Sequence, residues 1–231
     1  MKIIYRRFRM LKRKEIIKIL KQARKIDSKY EMFGASKHKY SLNPPIRESF
    51  VRGIEEKYGF KLPEDYFRFI TEIGDGGAGP DYGIDSFVEF LKKGKDSTVE
   101  KYRELYRYSL AKDFTPRQMR ADEVEEYAIA TREAYERNPD WYFVFEQPDD
   151  DLCDTNGFFV LGTHGCQWDF GIIISGERRG QIFDTDNEGA YGFVSNSFDA
   201  FYENWLNRIS DTEGYRKELE NWRNLFNSRR M

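Results

Sequence analysis

Residues 158–186 read FFVLGTHGCQWDFGIIISGERRGQIFDTD, and this stretch decides the fold. Two apolar runs, 158–161 and 170–174, are rich in Phe, Val, Leu and Ile, the residues that suit a pleated surface. Runs this continuous predict strands covered on both faces. Residues 175–180 form a turn, where Gly176 and Gly180 can adopt positive φ. Residues 181–184 return as a third strand, and the short glycine-flanked links predict an antiparallel meander.

Downstream of the meander, residues 187–196 read as a polar loop. Phe198, Phe201, Tyr202, Trp205 and Ile209 then mark a closing helix, and a last helix follows over 212–227. Upstream, residues 12–30 have Ile16, Ile19, Leu20, Ala23 and Ile26 at helical spacing, with Lys and Arg on the other face. This helix is expected to dock on the domain; contact with an anionic membrane is the lesser reading, and no direct nucleic-acid binding is expected. After a linker over 31–43, Asn43-Pro44-Pro45 opens a helix with Ile46, Phe50, Ile54 and Tyr58 inside and Gly59 at its end. Pro63 starts the next, which Gly74 closes. DGGAGPDY (75–82) is glycine-rich, but it follows a helix, lacks lysine and contains two acids, which disfavours a phosphate cradle. Residues 86–137 read as largely helical, with a break at Thr115-Pro116. Residues 141–146 form a candidate strand, and 147–156 an acidic loop.

The chain has 231 residues, enough for one large domain with extensions. No apolar run approaches the roughly 20 residues of a membrane helix. The basic N-terminus lacks the apolar core and cleavage site of a secretory signal. Two cysteines, Cys153 and Cys166, make no disulfide framework, so a reducing, cytoplasmic setting is expected.

Formal net charge is only −2, but it is divided unevenly. Residues 1–29 hold twelve Lys/Arg against two Asp/Glu, whereas residues 140–190 hold eleven acids against Arg178 and Arg179. Separation on this scale concerns partners more than fold. His164 and Cys166 point alike if extended, so a nucleophile pair is disfavoured and a packed cysteine expected. Two histidines and two cysteines without paired spacing do not make a zinc site. Asp149, Asp150, Asp151 and Asp154, like Asp184, Asp186 and Glu188, lack a calcium-loop frame. Catalytic, metal and cofactor roles are therefore not expected, although paired acids for glycoside hydrolysis stay open at this level. Carboxylates mixed with Tyr and Trp better suit a basic cleft on another protein.

Three segments, LPEDYFRFITEIGDGGAGPDYG (62–83), GTHGCQWDFGIIISGERRGQIFD (162–184) and SFDAFYENWL (197–206), together resemble the SUKH superfamily, the Smi/Knr-like domain. The resemblance spans residues 43–209. It leaves 1–42 as a basic extension, 210–231 as a C-terminal helix and about 85–138 as a helical insertion. It implies an α+β fold, a curved, mainly antiparallel sheet flanked by helices, with Gly74, Gly77, Gly165 and Cys166 as fold markers. It further implies a bacterial immunity protein that occludes a cognate toxin, commonly a nuclease, without turnover. The alternative is a regulatory scaffold like the fungal relatives. On that reading Asp75, Asp81, Asp149, Asp150, Asp151, Asp154, Asp184, Asp186 and Glu188 face the partner. Trp141, Tyr142 and Tyr191 anchor it, while Trp168 is placed either there or in the core.

Overall fold

The computed structural model describes residues 12–92, 107–145, 156–186 and 188–228. The fold is α+β, around an open sheet of six antiparallel strands. These are β1 (Arg117–Gln118), β2 (Tyr142–Val144), β3 (Phe158–Gly165), β4 (Trp168–Ile173), β5 (Ile182–Thr185) and β6 (Ala190–Ser195), in the order β1-β2-β6-β5-β4-β3. The expected meander is β3–β4–β5, and it continues into β6, where the sequence reading had a polar loop. On one face that strand carries small residues, between Tyr191 and Phe193 on the other. Ala190 and Gly192 share one face, and a Cβ on Gly192 would lie 3.0 Å from the Tyr142 ring.

Both faces of the sheet are covered, as the continuous apolar runs require. One face gives Phe159, Leu161, Phe170, Ile172 and Ile182 to the main core with the helices. The other gives Phe158, Ile173, Phe183, Tyr191 and Phe143 to a second cluster, closed by Phe114. Phe114 reaches it because its backbone N–H donates to Ser175 O at 3.1 Å.

The helices are α1 (Arg13–Ile26), α2 (Ala35–His38), α3 (Glu48–Tyr58), α4 (Glu64–Arg68), α5 (Phe87–Lys92), α6 (Ile129–Arg137), α7 (Phe198–Ser210) and α8 (Thr212–Ser228). A π-helical turn, Phe69–Ile73, extends α4. α1, α7 and α8 pack on one another. Ile16 and Leu20 of α1, with Tyr215 and Leu219 of α8, lie in the same core as the sheet. Full burial of one such aliphatic side chain is worth about 2 kcal/mol.

Three local readings are corrected. Asn43 does not cap α3, which starts at Glu48. Its amide instead donates to Asp75 O at 2.8 Å and holds two loops together. The inner side of α3 keeps the expected Ile54 and Tyr58, with Ile46 just before it, and adds Val51 and Glu55; Phe50 instead is 45% exposed. Within 121–137 the chain makes a 3-10 turn, Val124–Glu126, then extends at Tyr127 and Ala128 before α6. Packing of Met119, Val124 and Tyr127 against Val144 and Ala190 overrides helical propensity there.

Candidate functional site

The glycine-rich loop is folded onto the sheet by its own acids and amides. Gly77 N–H donates to Ile84 O at 2.7 Å, Ala78 N–H to Ser41 O at 2.8 Å and Gly83 N–H to Pro80 O at 2.7 Å. Amides already committed in this way are not free to cradle a phosphate. Asp75 is buried and caps α5. Its carboxylate accepts Ser86 Oγ at 2.6 Å, Phe87 N–H at 2.7 Å and Val88 N–H at 3.3 Å. A carboxylate at a helix N-terminus satisfies donors that have no helical partner and opposes the helix dipole.

At the end of the loop, Asp81 meets the bulged end of β3. The register of β3 against β4 shifts between Thr163 and Gly165, making His164 the extra residue. A bulge re-aims a side chain, and the His164 ring lies 4.9 Å from that of Phe170. Its Nδ1 bonds Asp81, and its Nε2 lies 2.9 Å from Asp184 Oδ1 on β5. Burial opposes protonation of His164, but the hydrogen bonds and charges of Asp184 and Asp81 outweigh it. The pKa rises to about 10. At neutral pH the ring is therefore an imidazolium donating from both nitrogens. It has no lone pair with which to act as a general base.

Nor is Cys166 the packed residue expected. It is exposed at the β3–β4 turn, where Cys166 and Gln167 have φ of 51° and 71°. Gly165, just before it, lies under Tyr82, whose Cε2 would be 3.1 Å from an added Cβ. The Gly165 N–H donates to Thr163 Oγ1 at 2.9 Å, tightening the turn from which Cys166 projects. His38 is buried far from this cluster in sequence. Its Nδ1 accepts the Tyr40 N–H at 3.0 Å, and burial, partly opposed by Asp27, lowers its pKa to about 4.

The remaining expected site residues divide. Asp186 is buried: it accepts Thr131 Oγ1 at 2.7 Å, Glu188 N–H at 3.0 Å and Ala190 N–H at 3.1 Å, tying α6 to the β5–β6 turn. Tyr191 is buried in the second cluster. Asp75, Asp186 and Tyr191 are thus withdrawn from any contact surface. Tyr142 and Trp168 are half-buried, Glu188 is exposed, and Trp141 is 50% exposed with its ring 5.6 Å from that of Phe193. Cys153 and the acids Asp149, Asp150, Asp151 and Asp154 lie outside the described residues.

Sequence reading missed a group of acids next to Trp141. Glu125, Glu126, Glu133, Glu136 and Asp140 are all exposed, and Ile129 at the start of α6 is 66% exposed. Among the described residues, Glu125, Glu126, Glu133, Glu136 and Glu188 form no salt bridge. The neighbouring Glu123 differs, since Arg117 and the Arg120 N–H lower its pKa to about 2. The signal for it is the run of acids over 122–136, which precedes the acidic stretch 140–190.

No family model, no curated protein and no solved structure matches this chain.

Proposed function

We propose that this protein is an immunity protein of the Smi/Knr-like type, which neutralises a cognate toxin by stoichiometric occlusion. The segments that carry the resemblance meet in space. Asp81 from the first and Asp184 from the second hold His164 between them, and Tyr202 of the third donates its hydroxyl to Ala78 O of the first at 2.8 Å. The third segment forms α7, whose Trp205 and Leu206 enter the main core. The proline-started helix, the glycine loop, the strand pair with its Gly-Cys and the closing helix stand in that order along the chain, which is itself part of the resemblance.

The observation that carries the binding role is the end of the sheet at α6 and β2. A half-exposed tryptophan follows a helix whose exposed carboxylates, Glu133 and Glu136, form no salt bridge among the described residues. Such a surface suits a basic cleft of the kind that holds phosphates, with charge guiding the encounter and an aromatic side chain anchoring it.

The test is co-expression with the C-terminal domain of the large secreted protein that this reading expects from the neighbouring reading frame. Growth should be restored, a one-to-one complex should be isolated, and inhibition should titrate to equivalence. Unrescued growth and no complex would overturn the proposal.

A further inference from the structure

Helix α1 presents two opposite sides. Ile16, Leu20 and Ala23 are buried in the main core, the last completely. Lys14, Lys18, Lys21 and Lys25 follow one another at spacings of four, three and four residues, and all are exposed. At roughly 100° per residue these four fall within a narrow strip diametrically opposite the buried side. Lys29, just past the helix, is also exposed. The row from Lys14 to Lys25 is about 16 Å long at 1.5 Å per residue.

Among the described residues nothing neutralises this row, and none of the five lysines forms an ion pair. The two acids of the segment are committed elsewhere: Glu15 accepts the Lys12 N–H at 2.7 Å, and Asp27 is buried, accepting from Glu31, Met32 and Tyr40. Other helices behave differently. Arg52 pairs with Glu48 and Glu55, Arg208 with Glu218, and Arg223 with Glu31. Like charges four apart oppose helix formation, so the lysine row works against the stability of the element that carries it.

We propose that this row docks the protein on an anionic lipid surface. A straight, convex row of ammonium groups touches a plane of headgroups along its whole length, and its attraction grows with each lysine. Because the apolar side of α1 is occupied by the core, the contact is electrostatic and peripheral rather than inserted. A single-stranded nucleic acid calls for stacking platforms beside the charge. Tyr30 is the aromatic residue at the end of the helix, and it already lies under the Arg24 guanidinium at 5.6 Å.

The experiment is co-sedimentation of the full chain with phosphatidylcholine vesicles, with and without 30% phosphatidylglycerol. A duplex oligonucleotide is titrated in parallel at the same ionic strength. Binding is expected to the anionic vesicles only, to fall as salt is raised, and to exceed binding to the duplex. Replacing Lys14, Lys18, Lys21 and Lys25 together by Gln should weaken vesicle binding by at least about a hundredfold. Replacing the same four by Arg should retain it, and neither variant should melt earlier than the parent. Equal binding of the Gln and parent proteins, tighter binding to the duplex, or no binding to anionic vesicles would overturn the proposal.

Discussion

Carboxylates in the glycine-rich loop and carboxylates around α6 carry the same charge and do opposite work. In the loop they turn inward. Asp75 closes the N-terminus of α5, and Asp81 fastens the loop to His164 on β3. Around α6 most point to solvent, while Asp186 turns in to bind Thr131 and two backbone amides and Glu123 accepts Arg117 and the Arg120 N–H. The inward acids share one habit. Asp27, Glu55, Asp75 and Asp186 each accept at least one backbone N–H from a loop or helix start. A buried carboxylate is tolerated when donors surround it. The difference teaches that charge count alone does not define a contact surface; what matters is whether the carboxylate has backbone amides to hold.

The largest effect should come from breaking an inward acid. Asp75→Ala leaves the Ser86 hydroxyl and two helix-start amides without their acceptor. It should cost about 3 kcal/mol, read as a shift in the denaturant midpoint at unchanged slope. Asp186→Ala should cost about 2 kcal/mol and loosen α6, visible as faster amide exchange over 129–137. A loss below about 0.5 kcal/mol at both positions would show that the burial of these acids contributes little.

The strands β3 to β5 were legible because a strand covered on both faces is written as continuous apolar sequence. β6 was not, since its Ala190 and Gly192 are small for a spatial reason: the Tyr142 ring lies over Gly192. The inner side of α3 was legible at Ile54 and Tyr58 but not throughout: Phe50 is exposed, and the buried Glu55 reads as surface until its bond to the Leu62 N–H is seen. The site fared worse. Asp75 finds Phe87 twelve residues on, and Asp186 finds Thr131 fifty-five residues back, so nothing local marks either as buried. His164 was weighed against its neighbour Cys166, whereas its partners, Asp81 and Asp184, come from two other elements. The bulge that turns it toward them has no signature beyond the flanking glycines.

The intermediate case is the Asp81–His164–Asp184 cluster, partly open to solvent. Its histidine has a pKa raised from 6.5 to about 10. The stabilisation is therefore complete below pH 6.5 and is lost as pH climbs toward about 10. Thermal midpoints taken across that window should decline in the parent. His164→Gln should flatten this part of the decline and cost about 1 kcal/mol at pH 6, the modest value suited to a partly exposed network. An unchanged pH slope in the variant would place the histidine outside the linkage and leave Asp81 without a structural task.

The smallest effect on the fold is expected from the outward acids, and that smallness is what makes them informative. Changing Glu125, Glu133 and Glu136 to Gln removes three exposed charges that hold no partner in the described structure. Each should alter stability by less than about 0.5 kcal/mol. The same variant should associate more slowly with the partner recovered by co-expression, with a flatter dependence of on-rate on salt, while its dissociation rate changes little. Trp141→Ala should do the reverse, leaving the on-rate and hastening dissociation, because an anchor acts once contact is made. If the triple variant instead destabilised the protein as Asp75→Ala does, the outward acids would belong to the fold as well, and the contrast between the two regions would disappear. If it left both stability and association untouched, those acids would be ordinary solvated charge, and the contact surface would have to lie elsewhere on the molecule.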